Sequence, residues 1–147
     1  MKAKRVMIID ALNAYLRAYI VNPSLSLGGV PIGGIKGFFK ILQKLVREIN
    51  PDEILIIWDG PNGSSKRKAI DKNYKAGRKP LRLNRAYANL TPEECSENKK
   101  WQQMRTMEYF NQMPIIQTYV PNIEADDVIA YITRMSYYKD WQKIIVS

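Results

Sequence analysis

Four short apolar runs punctuate the chain, at residues 5–9 (RVMII), 53–58 (EILIIW), 115–120 (IIQTYV) and 143–147 (KIIVS). Runs this short, rich in Ile and Val and set off by turn-forming residues, predict buried strands. Between them the apolar spacing becomes helical. Residues 11–21 read as one helix, stopped by Asn22-Pro23. From Gly34, positions Ile35, Phe38, Phe39, Leu42, Leu45, Val46 and Ile49 give the clearest amphipathic helix of the chain, ended by Asn50-Pro51-Asp52. The Gly-, Pro- and Ser-rich residues 22–33 predict a loop or small hairpin. Residues 84–113 are polar with scattered apolar positions and predict one or two helices, the second over about 94–111. After Pro121 and Asn122, which read as helix-start residues, Val128, Ile129, Ile132 and Met135 recur at helical spacing. Strands alternating with helices in this order predict a single α/β domain built on a largely parallel sheet.

That pattern gives the acidic residues a meaning. Asp10 directly follows the first run and Asp59 the second, while Glu124, Asp126 and Asp127 open the helix after the third. In parallel α/β sheets, ligands bind beyond the carboxyl ends of the strands. Five carboxylates from three segments therefore converge on one edge. An acid after a strand is commonly a turn residue or helix cap, and acids suit a helix N-terminus through the macrodipole. Three packed within four residues repel one another, however, and a bound cation relieves that repulsion.

Composition narrows the chemistry. The chain has no His and a single Cys95, so a metal must be held by oxygen, which favours Mg²⁺ or Mn²⁺ over zinc. Serine–histidine and cysteine–histidine catalysis is excluded within the chain. A lone cysteine forms no internal disulfide and fits a reducing cytoplasm, and no apolar run is long enough to span a membrane. The net charge is +9. Residues 66–85 hold nine Lys/Arg against one acid, Asp71, so this window carries +8 and leaves the remainder near neutral. Basic charge so concentrated predicts a polyanion-binding element rather than general solubility, the plainer alternative being a solvated charged loop. Its cations are Lys66, Arg67, Lys68, Lys72, Lys75, Arg78, Lys79, Arg82 and Arg85.

Four ordered motifs then carry a resemblance: Ile8-Ile9-Asp10-Ala11-Leu12-Asn13-Ala14-Tyr15, Ile57-Trp58-Asp59-Gly60, Tyr74-Lys75-Ala76-Gly77-Arg78 and Glu124-Ala125-Asp126-Asp127. Together they resemble the 5′-nuclease (flap endonuclease) superfamily of PIN-like fold, nearest to the N-terminal domain of bacterial and phage 5′→3′ exonucleases, including the phage ribonuclease H type that removes primers. The resemblance implies a three-layer PIN-like fold over residues 1–147, with a basic arch-like segment at about 62–100. It implies that Asp10, Asp59, Glu124, Asp126 and Asp127 bind one or two Mg²⁺ or Mn²⁺ ions. Tyr74, Lys75 and Arg78 match the base of the helical arch that clamps single-stranded 5′ ends, with Lys75 and Arg78 facing the scissile phosphate. Arg67 matches a phosphate-contacting Arg, and Asn13 and Tyr15 match residues that support the site. The implied partners are 5′-flap or nicked DNA and RNA–DNA hybrids, together with replication proteins, in the cytoplasm of a bacterium or phage-infected host.

The chain also departs from the family. There, the strand that Ile144-Ile145-Val146-Ser147 resembles is followed by further metal-binding aspartates and a helix–hairpin–helix element, and neither is in this sequence. The expectation is an N-terminal portion of a longer nuclease that binds metal weakly and cleaves little without a C-terminal segment. Three other readings compete. A PIN-type ribonuclease would share the fold and acids but lack the basic insertion. A non-catalytic nucleic-acid-binding module would keep the basic surface alone. An aspartate-based phosphatase or receiver domain would explain Asp10 but neither the basic window nor the 124–127 cluster.

Overall fold

A computed structural model describes residues 2–63 and 82–147. The described residues divide into two units: 2–12, 51–63 and 115–147 form one, 13–50 and 82–114 the other.

The first unit is built on the four predicted strands, β1 (Arg5–Asp10), β2 (Glu53–Ile57), β3 (Ile116–Thr118) and β4 (Gln142–Val146). They pair in the order β3-β2-β1-β4, and every pairing is parallel. β1 lies inside the sheet, and Val6, Met7 and Ile8 are wholly buried, as a strand covered on both faces requires. The path from β3 to β4 must cross β2 and β1. The helix on that path (Ala125–Thr133) buries Val128, Ile129 and Ile132 against Val6, Ile8, Leu55 and Ile57. Tyr138 closes this core, and its hydroxyl donates to Glu53 Oε2 at 2.8 Å. Burial, helped by that carboxylate, holds the phenol protonated, its pKa pushed up to about 12.

Some boundaries differ from expectation. β3 keeps only Ile116–Thr118 of the predicted 115–120. It is an edge strand with Ile116 half exposed, and Tyr119 and Val120 leave the ladder for the turn described below. Met135 falls beyond the helix and is 39% exposed, so it is not part of the buried stripe. Asn122 does not start the helix either: it takes φ 66° in a turn, and Glu124 is the N-cap residue.

The second unit is helical. α1 (Ala11–Val21) keeps its predicted limits and carries residues 13–21 into this unit. α2 (Gly33–Ile49) and α3 (Pro92–Phe110) complete it, with a 3-10 turn at Arg85–Tyr87; the helix of the first unit is hereafter α4. α3 begins before the predicted residue 94 because Thr91 and Glu94 form a capping box, with Pro92 opening the helix. Phe110 packs on Phe38 and Phe39, ring centroids 5.1 Å apart in each pair. The 22–33 loop closes as a small hairpin through an antiparallel bridge between Leu25 and Pro31.

Two polar side chains terminate helices from a distance. Ile32, the residue before α2, supplies no side-chain cap. Gln102 of α3 does so instead: its Oε1 accepts from Gly34 N at 2.7 Å and Ile35 N at 3.1 Å. Its Nε2 donates to Asn98 Oδ1 and the Tyr87 hydroxyl. Asn84 serves the other end of α1, where its Nδ2 donates to the carbonyls of Tyr19, Ile20 and Asn22. Of the stretch 62–100 read as arch-like, the described part includes this 3-10 turn and the first half of α3.

Candidate metal centre and nucleic-acid interface

Asp10 is the last residue of β1 and pairs in register with Ile57, the last residue of β2. Asp59 stands two residues further on, so the two carboxylates leave adjacent strand ends, which lie about 5 Å apart in a sheet.

Two turns meet beyond these ends. The chain leaving β2 and the chain leaving β3 are joined by Trp58 N to Thr118 O (2.9 Å), Gly60 N to Ile123 O (3.0 Å) and Asn122 N to Pro61 O (2.9 Å). Asn62 and Asn122 take the left-handed conformation there, φ 58° and 66°, which Asn tolerates better than most residues. Trp58 adds a side-chain bond, its Nε1 donating to Gln117 Oε1 at 2.7 Å. Gly60 is buried where these chains touch. A Cβ on it would lie 1.9 Å from Val120 O, so no larger residue fits this backbone.

The last link involves the site itself. Asp59 Oδ1 accepts from Ala125 N at 2.6 Å. Ala125 is the first residue of α4, and Glu124 makes no side-chain cap bond. Asp59 thus caps α4 from the end of β2, where the helix dipole favours negative charge. The same bond fixes the start of the Glu124–Asp127 cluster relative to Asp59.

Glu124 is 6% exposed, while Asp126 and Asp127 face solvent and Asp10 and Asp59 are half buried. The Glu124 carboxylate is withdrawn from solvent and takes part in interactions within the fold. A carboxylate withdrawn from water is costly unless compensated by partners or a cation, and an all-oxygen donor set suits a hard divalent ion. Among the described residues, no three acidic side chains are drawn close enough together to hold one ion. Mutual repulsion favours that spacing, and the exposed Asp126 and Asp127 have room to rotate. The chemistry of the donors therefore fits a metal, with side-chain movement needed to close around it.

The other expected site residues divide by location. Lys66, Arg67, Lys68, Lys72, Tyr74, Lys75, Arg78 and Lys79 lie outside the described residues. Arg82 and Arg85 are exposed, Arg85 on the 3-10 turn of the helical unit. Asn13 is half buried on α1. Tyr15 is wholly buried, and its hydroxyl donates to Lys99 O at 2.6 Å. Burial raises its pKa well above the usual phenol value, so it stays protonated and tethers α3. Gly60 closes the Ile57-Trp58-Asp59-Gly60 motif and forms a turn signal with Pro61, but its backbone contact with Val120 has no signal in the sequence.

The chain is similar to known proteins in sequence and in fold. Flap endonuclease Xni of Shewanella loihica is 30% identical over 145 residues, covering 97% of this chain and 48% of its own length. The 5′-3′ exonuclease of Aquifex aeolicus is 27% identical over 145 residues, covering 98% of this chain and 45% of its own. The chain thus spans about half the length of these relatives. The fold is shared with the bacteriophage T5 flap endonuclease, solved as a pseudo-enzyme–product complex with DNA and metal ions. That likeness has a TM-score of 0.68 at 19% identity, over 98% of this chain and 48% of the phage protein. Residues 5–147 match the 5′-3′ exonuclease N-terminal resolvase-like domain, and the chain belongs to that family.

Proposed function

We propose that this domain forms the metal-binding half of a 5′-nuclease, a 5′→3′ exonuclease or flap endonuclease that hydrolyses phosphodiester bonds at nucleic-acid ends or junctions. Asp10, Asp59, Glu124, Asp126 and Asp127 hold one or two Mg²⁺ or Mn²⁺ ions, some directly and some through water. When bound, such ions activate water and stabilise both the developing charge and the leaving oxygen. The chain's own residues do the rest. Asp59 keeps α4 and its acids in register with the strand ends. Lys75 and Arg78 stabilise charge on the phosphate, and Lys66, Arg67, Lys68, Lys72, Lys79, Arg82 and Arg85 grip the backbone through salt-sensitive contacts. Tyr74 adds a contact to the nucleic acid, and Asn13 and Tyr15 belong to the same sequence motif as Asp10. The substrates are 5′-flap or nicked DNA and RNA–DNA hybrids, as in primer removal during replication in the cytoplasm. The observation that carries this reading is the 2.6 Å bond from Ala125 N to Asp59, since it ties two acidic motifs far apart in sequence into one edge.

Cleavage of 5′-labelled flap DNA, an RNA–DNA hybrid and single-stranded RNA, under single-turnover conditions, tests the proposal. Slow Mn²⁺- or Mg²⁺-dependent cutting near the 5′ end is expected, stopped by EDTA and lost in Asp10→Ala. Preference for single-stranded RNA would favour a PIN-type ribonuclease instead. Binding that persists in EDTA, with no cutting of any substrate, would leave a portion awaiting its C-terminal segment or a non-catalytic module, and adding back a family C-terminal segment separates the two.

A further inference from the structure

A groove of about 480 Å³ opens between α1 and α2 of the helical unit. The two helices touch where a Cβ added to Gly37 would come 2.7 Å from the Ala18 Cβ. That close approach sets the floor, and longer side chains beyond it make the walls. Val21 and Ile41 line the groove yet are 73% and 39% exposed. Around them stand four cations, Arg17 on α1 and Lys40, Lys44 and Arg47 on α2. The neighbouring acid in this row is Glu48, 4.0 Å from Lys44 in a solvent-exposed pair that contributes little. The groove is thus apolar within and positive at both rims.

We propose that this groove docks an acidic amphipathic helix of a partner protein. Lys40 and Lys44 are one turn, about 6 Å, apart along α2, and Arg47 continues the row about 4.5 Å further on. Acids four apart on a partner helix repeat at the same distance, while its apolar stripe covers Val21 and Ile41. Charge argues against the other occupants. A second copy would bring another +9 chain against a positive groove. A phosphate backbone would satisfy the cations but leave the exposed apolar side chains unused. This surface is separate in sequence from the acidic motifs and from the 66–85 window.

Fluorescence anisotropy of the full chain tests this with a labelled, about 18-residue peptide, long enough for five turns, bearing Leu on one face and Glu on its flanks. Controls are a scrambled peptide of the same composition, polyglutamate of equal length and a short DNA duplex. Saturable binding is expected for the amphipathic peptide, weaker by about tenfold or more in Lys40→Glu/Lys44→Glu. A similar loss is expected in Val21→Ser/Ile41→Ser, because apolar burial contributes. All four positions are exposed, and circular dichroism verifies that each variant keeps its helices. The proposal fails if the peptide does not bind, if scrambled peptide or polyglutamate binds equally well, or if the Ser variant binds unchanged. It fails also if duplex DNA displaces the peptide and itself binds less tightly to the Glu variant, which would make the groove a phosphate surface.

Discussion

Gln102→Leu is expected to lower the stability of the chain by about 3 to 4 kcal/mol, although Leu is close to Gln in volume and suits a buried site. Gln102 is 0% exposed. Its Oε1 accepts both Gly34 N and Ile35 N at the start of α2, and its Nε2 serves Tyr87 and Asn98. Leucine would leave the N–H groups of the first turn of α2 buried without acceptors. Each such group costs about 1–3 kcal/mol, and the preceding Ile32 has no side chain to replace the cap. Urea unfolding reads the effect. With an m-value of about 1.5–2 kcal/mol/M, the midpoint should fall by about 2 M. A loss below about 1 kcal/mol would mean that the Gln102 contacts do not hold α2.

Gly60→Ala is expected to damage both stability and the candidate metal centre. The added methyl would lie 1.9 Å from Val120 O, 2.7 Å from Val120 C and 3.0 Å from Pro121 Cα. All three are backbone atoms, so no side-chain rotation relieves the clash. The backbone dihedrals are not at issue, since Gly60 is not among the positive-φ glycines. Moving the turns apart would strain the Gly60–Ile123 hydrogen bond and the adjacent Asp59–Ala125 cap. A destabilisation of about 2–4 kcal/mol should accompany a fall of about tenfold or more in Mn²⁺ affinity, because carboxylate geometry sets the site. Urea unfolding and calorimetric Mn²⁺ titration read the two effects separately. Unchanged metal affinity alongside the stability loss would show that the turn serves folding alone.

Much of the fold was legible because its signals are local. The Ile- and Val-rich runs mark strands without reference to anything distant, and Asn22-Pro23 and Asn50-Pro51 mark helix ends. The parallel order was legible too, and with it the placing of Asp10 and Asp59 at adjacent strand ends, because Asp10 pairs in register with Ile57 and the sheet is parallel throughout. What escaped was contributed by partners remote in sequence. Three helix ends are completed from afar: α2 by Gln102, the last turn of α1 by Asn84 and α4 by Asp59. No window around Gly34, Ile20 or Ala125 contains its cap. Asp59 shows how one residue can hold both meanings, since the bland expectation of a helix cap is correct for one oxygen while the same carboxylate belongs to the acidic edge. Met135 misled for a different reason. Its spacing fits the apolar stripe of α4, but the helix ends at Thr133 and a 3-10 turn follows. The shortness of β3 was equally hidden, because Tyr119 and Val120 suit a strand by type and are diverted by the Gly60 contact.

Binding of a divalent cation by the acids at the ends of β1 and β2 and the start of α4 can be read by paramagnetic broadening. Substoichiometric Mn²⁺ would be added to the ¹⁵N-labelled chain and to Asp59→Asn, which keeps an oxygen to accept from Ala125 N but removes the charge. Selective loss of the amide signals of Ile9, Asp10, Gly60, Ala125 and Asp126 is expected, reversed by EDTA and much reduced in Asp59→Asn. Broadening centred instead on the acids of α3 (Glu93, Glu94 and Glu97), or equal in the variant, would contradict that assignment.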